Sequence, residues 1–393
     1  MKNNYFARFV LIVTVGLLFV QSANAAELMH SAWIPRWSPL SGEVSVKRNS
    51  ELFEEISPMW YKVNPDGSLY YYETSNAGSL KRLLKKNKIK LIPTVAMFDY
   101  KVINEVFSTQ ENFERHLNSI ISEVEKYDYD GIDLDYESIL ESDKEKFFKF
   151  LMLLAAKLDK MDKSLSVTVL AKWGDDVVYG LPQTRNVQDW SRIGKYADQV
   201  RIMAYDYTYT GSVHPGPIGP LSWHGQILEY AITKLPKNKI VMGIPLYAYQ
   251  WRREATDDLF SKEIADIIRE RNFSTAAGFV HTGVLRLMSE NEGVLEEYEG
   301  EKFFRYQSSS VDGKREDVVL VFADTKSVGL RQQLAKEYGI RGVTYWSLGG
   351  EEDLLDLKPT IEIETEVNNE IVEISIELIK QEAKKTLGVS TTR

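Results

Sequence analysis

Three carboxyl side chains alternate along one short apolar stretch of the sequence. Asp133, Asp135 and Glu137 occupy every second position, and the residues between them are Leu134 and Tyr136. On a β-strand alternate residues share a face, so the three carboxyls would point to the same side. Stacked carboxyls resist joint ionisation, because burial and like charges both disfavour it. Such an arrangement is poor for stability and well suited to acid catalysis.

The outermost carboxyl, Glu137, ends this stretch, and its position predicts its chemistry. If the stretch is a strand of a barrel, Glu137 lies at the C-terminal strand end, where barrel active sites open. Repulsion from Asp135 is expected to raise the pKa of Glu137 and keep it protonated, as a general acid requires. An exposed acidic loop or a calcium site is the alternative. Calcium loops, however, space their ligands along a turn rather than along a hydrophobic β-run.

Short runs of β-branched and aromatic residues recur along the chain and alternate with stretches of helical periodicity. In one helical stretch Phe113, Leu117, Ile120 and Val124 fall on one face, as a helix packed on a sheet requires. The alternation predicts an α/β fold, a (β/α)8 TIM barrel of parallel strands and crossover helices. A doubly wound sheet is the alternative. The eight predicted strands are residues 30–37, 56–63, 90–99, 129–137, 165–173, 199–207, 239–251 and 342–348.

The spacing of the predicted strands gives the domain boundaries. We assign residues 26–358 to the barrel and residues 359–393 to a C-terminal tail of unknown role. The last two strands are separated by a far longer stretch than the others, which predicts a small α+β insertion and helix seven over about 252–340. Ser142 and Glu145 are expected to form a capping box at the start of the helix after the fourth strand.

The N-terminal segment, residues 1–25, has the pattern of an export signal. Lys2 and Arg8 precede a largely apolar run over residues 9–20, and the small-residue site Ala23-Asn24-Ala25 follows it. An uncleaved anchor is the alternative, but the apolar run is shorter than the roughly 18 residues that cross a bilayer. We therefore expect cleavage at that site, a secreted or cell-envelope protein, and no stable membrane insertion afterwards.

Composition excludes several classes of function. The formal net charge of −9 argues against a nucleic-acid partner and against an anionic membrane surface. The absence of cysteine excludes thiolate metal sites and thiol nucleophiles, and the five histidines are scattered without a metal-binding spacing. We expect no metal, no cofactor and a monomer. The chemistry must therefore come from oxygen and nitrogen groups.

The carboxyl stretch carries a resemblance to a known family. Residues 130–137 read Asp-Gly-Ile-Asp-Leu-Asp-Tyr-Glu, which is similar to the D-G-x-D-x-D-x-E signature of glycoside hydrolase family 18, the chitinase family. The resemblance extends over roughly residues 31–352 and includes the motifs at 203–206, 243–247 and 345–347.

The resemblance implies a retaining mechanism without a protein nucleophile, in which the 2-acetamido oxygen of the substrate attacks the anomeric carbon. Glu137 would protonate the leaving oxygen and later activate water. Asp135 would orient and stabilise the acetamido group, and Asp133 would share a proton with Asp135. Tyr205 would hydrogen-bond the acetamido group, with Asp206 assisting in the same subsite.

Aromatic side chains near the predicted strand ends are suited to a glycan cleft, because sugar rings stack on indole and phenol rings. The resemblance implies that Trp346 forms the floor beneath the cleaved sugar. The residues that we expect to bind substrate are Trp346, Met203, Tyr247, Trp223 and Trp33.

The predicted partner is a β-1,4-linked N-acetylglucosamine glycan, either peptidoglycan or a chitin oligosaccharide. Residues 94–99 lack the S-x-G-G pattern of the better-known chitinases, and residues 214–223 and 245–249 look more like the bacterial spore-cortex and germination N-acetylglucosaminidases. Both substrates remain open. A catalytically silent lectin of the same fold is the alternative to an enzyme.

Overall fold

The computed structural model describes residues 27–355, apart from residues 73, 178–186, 257 and 352. The predicted export signal at 1–25 and the predicted tail at 359–393 lie outside the described residues. Among the described helices, none combines the length and apolarity that crossing a membrane requires.

Sixteen strands and ten α-helices form within the described part of the chain. The strands are β1 (Met29–Ile34), β2 (Glu55–Pro58), β3 (Tyr61–Val63), β4 (Leu69–Tyr71), β5 (Lys90–Leu91), β6 (Thr94–Met97), β7 (Gly131–Tyr136), β8 (Ser164–Leu170), β9 (Gln199–Met203), β10 (Ile240–Pro245), β11 (Tyr247–Glu254), β12 (Ala277–Val280), β13 (Gly293–Tyr298), β14 (Glu301–Ser309), β15 (Arg315–Phe322) and β16 (Gly342–Trp346). The helices are α1 (Pro39–Arg48), α2 (Ala77–Asn87), α3 (Tyr100–Ser108), α4 (Gln110–Tyr127), α5 (Lys144–Asp159), α6 (Trp190–Tyr196), α7 (Leu221–Lys234), α8 (Ile264–Ile267), α9 (His281–Glu290) and α10 (Thr325–Tyr338).

The parallel strands form a ring, and the predicted TIM barrel is confirmed over the doubly wound alternative. β16 pairs with both β1 and β10, and β7, β8, β9 and β10 follow one another in parallel. The ring closes through two interrupted strands, since β1 pairs with β2, β2 pairs with β5, β3 pairs with β6, and β6 pairs with β7. All eight predicted strand regions contribute to this ring.

The two interruptions coincide with prolines. Pro58 ends β2, and Pro93 lies between β5 and β6. A proline has no N–H to give to the ladder, so a continuous central strand cannot pass through it. The predicted strands at 56–63 and 90–99 are therefore each two short strands.

The predicted seventh strand, residues 239–251, also divides. β10 stays in the barrel, whereas β11 leaves it to join a five-stranded antiparallel sheet in the order β12, β11, β15, β14, β13. Helix α10 follows that sheet and leads back to β16, the last barrel strand. The second sheet is thus inserted between two adjacent barrel strands, on the side where β10 ends.

The helix after β7 begins differently from the sequence prediction. A 3-10 turn over Glu141–Asp143 precedes α5, and the N-cap residue Asp143 makes no side-chain capping bond. Asp143 is buried and accepts hydrogen bonds from Asn104 at 2.8 Å and from Lys146 at 3.1 Å. Glu145 instead accepts two hydrogen bonds from Arg192. The Ser142–Glu145 capping box is therefore wrong, because tertiary partners engage the local acids.

Candidate active site

The carboxyl ladder lies on β7, in the interior of the barrel. Asp133 and Asp135 are buried, and Glu137 is half-buried one residue beyond the strand end. The backbone N–H of Glu137 donates to the carbonyl of Met97 at 3.1 Å, which ties the end of β7 to the end of β6. The alternation of the sequence thus leads from a fully enclosed acid to one at the barrel mouth.

Asp133, the innermost acid, is enclosed by hydrogen-bond donors from three other strands. Trp33 Nε1 donates to Asp133 Oδ2 at 3.0 Å, and Thr94 Oγ1 donates to the same oxygen at 2.9 Å. Thr168 Oγ1 donates to Asp133 Oδ1 at 3.0 Å. Each of the two Asp133 oxygens thus accepts at least one hydrogen bond from a neutral donor.

Asp135, the middle acid, has the opposite environment. Burial raises its pKa well above the ordinary value, and the charges of Glu137 and Asp133 raise it further. Within the described residues, Asp135 Oδ1 has no hydrogen-bond partner. The same side chain lines the central cleft. Asp135 is therefore held neutral, with an oxygen available to a group that enters the cleft.

Glu137 is tuned for proton donation near neutral pH. Burial raises its pKa from 4.5 to about 7, and the nearby charge of Asp206 adds to the rise. The direction agrees with the sequence prediction, but the neighbour responsible is Asp206 rather than Asp135. Since Asp135 is itself held neutral, it contributes little repulsion. A carboxyl with a pKa of this size can donate a proton to a leaving group and then act as a base.

Asp206 follows β9 in the left-handed region of backbone space, with φ of 61°. Its carboxylate accepts hydrogen bonds from the hydroxyls of Tyr247 and Tyr249. Both tyrosines belong to β11, the strand that leaves the barrel, so the inserted sheet holds this acid in place. A non-glycine residue in this conformation is uncommon and is found preferentially at functional sites.

Tyr205 provides a hydroxyl donor beside the acids. Its ring stacks on Trp346 with a centroid distance of 6.5 Å and an interplanar angle of 17°. Burial raises its pKa well above the ordinary value, so the phenol keeps its proton. A methyl group on Gly243 of β10 would meet Tyr205 Cε1 at 2.9 Å and the carbonyl oxygen of Ile202 at 2.7 Å. Glycine at this position therefore allows the Tyr205 ring to pack against the strand.

Trp346, at the end of β16, forms an aromatic corner with two residues of the β1 end. Its ring makes edge contacts with Trp33 at 5.9 Å and with Trp37 at 6.1 Å between centroids. The peptide bond between Trp346 and Ser347 is cis. Trp37 is 65% exposed, which leaves an indole face free for stacking beside the acids.

A cleft of about 1090 Å³ opens over these groups. This volume is slightly above the range typical of small-molecule sites, about 300–1,000 Å³, so it has room for more than one sugar. The sequence-predicted site residues that line it are Trp33, Asp135, Glu137, Met203, Tyr205, Asp206, Trp223 and Trp346. Asp133 lies beneath the cleft, and Tyr247 contacts Asp206 from behind.

Two of the predicted substrate-binding aromatics are almost fully buried. Trp33 is 2% exposed, and its indole N–H is engaged by Asp133. Trp223 is 4% exposed and packs against Trp173 at 5.5 Å and Tyr207 at 5.3 Å between centroids. Trp33 and Trp223 are therefore placed to support the acids and the neighbouring rings, rather than to offer an open surface on which a sugar stacks.

The sequence reasoning missed several residues of the site. Thr94 lies opposite Asp133 on the neighbouring strand β6, and Thr168 lies opposite Asp135 on β8. The alternation of inward and outward side chains on these strands could have placed both hydroxyls next to Asp133. Phe98 and Tyr209 line the cleft and are more than half exposed. Phe98 lies near the end of the predicted strand 90–99, and Tyr209 lies just after the predicted strand 199–207. Within the described part of the chain, no group of three or more His, Cys, Asp or Glu side chains is arranged to hold a metal ion.

Comparison with known sequences places this geometry in a family. The model of the family "Glycosyl hydrolases family 18" matches residues 45–351. The chain is 27% identical over 288 residues to "Uncharacterized glycosylase YvbX" of Bacillus subtilis, covering 68% of this chain and 74% of that protein. It is 27% identical over 240 residues to the "Cortical fragment-lytic enzyme" of the same organism, covering 60% of this chain and 50% of that protein.

Solved structures share the fold at low sequence identity. A chitinase from Chromobacterium violaceum superposes with a TM-score of 0.69 at 21% identity, covering 83% of this chain and 96% of that one. The Bacillus cereus spore cortex-lytic enzyme SleL superposes with a TM-score of 0.69 at 20% identity, covering 84% of this chain and 74% of that one. The family match spans most of the barrel and includes the carboxyl ladder on β7. The chain therefore belongs to glycosyl hydrolase family 18 and is a glycosidase.

Proposed function

We propose that this glycosidase cleaves β-1,4-linked N-acetylglucosamine glycans with retention of configuration, using the 2-acetamido group of the substrate as nucleophile. The observation that carries the proposal is the pairing of two differently tuned acids. Glu137 has a pKa raised to about 7 at the cleft mouth, and Asp135 has an unpartnered oxygen in the same cleft.

In the first step Glu137 donates its proton to the glycosidic oxygen as the bond to the anomeric carbon breaks. The acetamido oxygen of the same sugar attacks that carbon, so the displaced group is replaced without a protein nucleophile. The product of this step is a cyclic cation fused to the sugar. Glu137, now a carboxylate, removes a proton from water, and the water opens the ring with overall retention.

Asp135 is placed to orient the acetamido group through a hydrogen bond. The free Asp135 oxygen accepts the acetamido N–H, while the Tyr205 hydroxyl donates to the acetamido oxygen. Both groups are held by the protein before the substrate arrives, so little reorganisation accompanies the reaction. A sugar without the acetamido group lacks the nucleophile, which restricts the substrate to N-acetylated glycans.

The aromatic surfaces of the cleft suit a glycan of several sugars. Trp346 is placed to stack beneath the cleaved sugar, and exposed Trp37 extends the surface on the β1 side. Tyr207 and Tyr209 extend it on the opposite side, beyond β9. Stacking on ring faces combined with a few polar groups is the usual way that such clefts bind sugars.

Peptidoglycan is the substrate that we favour over chitin oligosaccharides. Arg36 and Lys62 line the cleft on the β1 and β3 side, in a protein whose net charge is −9. Peptidoglycan alternates N-acetylglucosamine with a sugar that bears a lactyl carboxylate, whereas chitin is uncharged. A guanidinium in the cleft gains a charge-assisted hydrogen bond only with the first of these polymers.

Mass spectrometry of the products tests the proposal. The protein is incubated with chitin oligosaccharides in one series and with purified peptidoglycan glycan strands in another, and Glu137→Gln is compared with Glu125→Gln on the exposed face of α4. We expect products that end in reducing N-acetylglucosamine, a loss of at least about 100-fold in Glu137→Gln, and native activity in Glu125→Gln. Equal activity in both variants contradicts the role of Glu137.

A non-hydrolytic lectin is the competing function. Its signature in the same experiment is glycan binding without products from either polymer. The raised pKa of Glu137 argues against it, because binding alone does not require a proton donor near neutral pH.

We further propose that the protein is exported, acts in the cell envelope or outside the cell, and is a monomer. The export proposal is supported by the sequence pattern of residues 1–25, which ends in a small-residue site. Mass spectrometry of the mature N-terminus and light scattering of the mature protein test these points. An N-terminus at Met1 or a dimer would contradict them.

A further inference from the structure

A single arginine lies inside the barrel below the carboxyl ladder. Arg201 of β9 is fully buried. Its guanidinium donates to Ser57 Oγ at 2.6 Å and to Glu55 Oε2 at 3.1 Å, and it lies 3.9 Å from Asp133 Oδ2. The same guanidinium is 5.6 Å from the centroid of the Trp33 ring, whose N–H also binds Asp133.

The charge of Glu55 is compensated from several directions. Gln199 Nε2 donates to both of its oxygens, at 2.8 Å and 2.7 Å. Lys90 and Arg341 lie 4.0 Å and 3.9 Å from Glu55 Oε1, on the side facing solvent. Glu55 therefore does not depend on Arg201 alone, and the positive charge of Arg201 remains available to Asp133.

Asp133 has one cationic partner among the described residues, and that partner is Arg201. The other groups that contact Asp133 are neutral donors: the Trp33 indole and the hydroxyls of Thr94 and Thr168. Asp135, Glu137, Asp206 and Tyr205 also lie near the ladder, and each of them is neutral or anionic, so none can compensate a negative charge on Asp133. In a fully buried site, a charge at this distance acts through little intervening solvent.

We propose that Arg201 is a positioning residue that holds Asp133 as a carboxylate and thereby keeps the proton of the Asp133–Asp135 pair on Asp135. This inference rests on the proposed function of the ladder. Without the guanidinium, Asp133 would be a buried anion stabilised by neutral donors alone, and it would compete with Asp135 for the proton. Arg201 thus acts on the acids at the cleft through Asp133 and does not contact the substrate.

The proposal predicts shifts of opposite sign in the pH dependence of kcat/KM for two variants. Arg201→Met removes a cation near the carboxyls, so both limbs of the profile are expected to move up by about one pH unit. Glu55→Gln removes a competing anion and leaves the cation in place, so both limbs are expected to move down by about half a unit. Arg201→Lys retains the charge and is expected to restore the native profile to a large extent.

A second buried arginine supplies the matched control. Arg331 is fully buried and pairs with Glu301 at 2.9 Å, where α10 meets the inserted sheet, and it does not line the cleft. Arg331→Met is expected to lower stability without moving either limb. If Arg201→Met yields no folded protein, the near-isosteric Glu55→Gln still decides the question.

The inference is overturned if both limbs of the kcat/KM pH profile stay at their native positions in Arg201→Met and Glu55→Gln. A shift of the same size in Arg331→Met would also overturn it. Failure of the inference can be distinguished from failure of the proposed function. If Glu137→Gln is inactive while Arg201→Met and Glu55→Gln keep the native pH profile of kcat/KM, only the role of Arg201 is wrong. If Glu137→Gln keeps native activity, the proposed function itself is wrong.

Discussion

Replacing Glu137 by glutamine removes a carboxyl that the fold holds in an unfavourable environment for charge. The pKa of Glu137 rises from an ordinary 4.5 to about 7 because of burial and the charge of Asp206. Since the folded protein binds this proton more tightly than the unfolded chain, its contribution favours folding at low pH. That contribution is lost as the pH rises from 4.5 to about 7.

The magnitude follows from this difference in pKa. Ionised Glu137 costs the fold about 3 kcal/mol at about pH 8.5 and about 1 kcal/mol at about pH 5, relative to a neutral side chain of the same shape. Glu137→Gln is therefore expected to be more stable than the native protein, and its advantage should grow by about 2 kcal/mol between these two pH values.

Urea unfolding at both pH values, followed by tryptophan fluorescence, measures this difference. The control is Glu125→Gln on the exposed face of α4, for which we expect the same free energy of unfolding as the native protein at both pH values. An advantage of Glu137→Gln that does not change with pH would show that the difference in stability does not come from the ionisation of this carboxyl.

Four further outcomes are expected. In the native protein, kcat/KM should fall as the pH rises through about 7, because Glu137 then loses the proton that it must donate; a flat profile between about pH 6 and pH 9 would contradict this. Asp135→Asn should lower kcat by at least about 100-fold in steady-state assays, with the folded fraction unchanged by circular dichroism. Trp346→Ala should raise KM about tenfold or more through lost stacking, and unchanged kinetics would exclude it from the subsite. Arg36→Gln should lower kcat/KM on peptidoglycan strands about tenfold and leave chitin oligosaccharides unaffected; equal losses on both would contradict a role in reading a carboxylate.

The fold class and the carboxyl ladder were predictable because they depend on short-range periodicity. A period of two places Asp133, Asp135 and Glu137 on one face of a strand, whatever the rest of the chain does. The strand ends were predicted with extensions, because residues such as Phe98 and Tyr207 continue the aromatic pattern beyond the last ladder hydrogen bond. Proline breaks within two strands could also have been read from Pro58 and Pro93.

The electrostatic surroundings of the ladder depend on contacts that are remote in sequence. Asp206 follows another strand, β9, and nothing in the local pattern indicates that its charge raises the pKa of Glu137. The hydrogen bond from Arg201 to Glu55 joins residues 146 positions apart. Such pairs are set by the register of parallel strands, and a one-residue change of register would turn these side chains to the other face.

The inserted sheet shows the same limit. The alternating residues 302–307 and 317–322 predict two of its strands, but no sequence pattern predicts that the chain leaves the barrel after Pro245. β11 leaves the barrel at this point and brings Tyr247 and Tyr249 to Asp206. The sequence therefore predicts Tyr247 as a site residue without revealing that its contact is with an acid rather than with the cleft.

The anomeric configuration of the first sugar released distinguishes substrate-assisted catalysis from direct attack by water. Proton NMR of the reaction in its first minutes, with the glycan that proves to be the substrate, resolves the α and β anomers before they interconvert. Substrate-assisted catalysis with Glu137 as acid and base predicts that the β anomer appears first and that the α anomer grows only by mutarotation. Initial release of the α anomer would contradict this mechanism, because it would require direct attack by water on the face opposite the leaving group, without participation of the acetamido group.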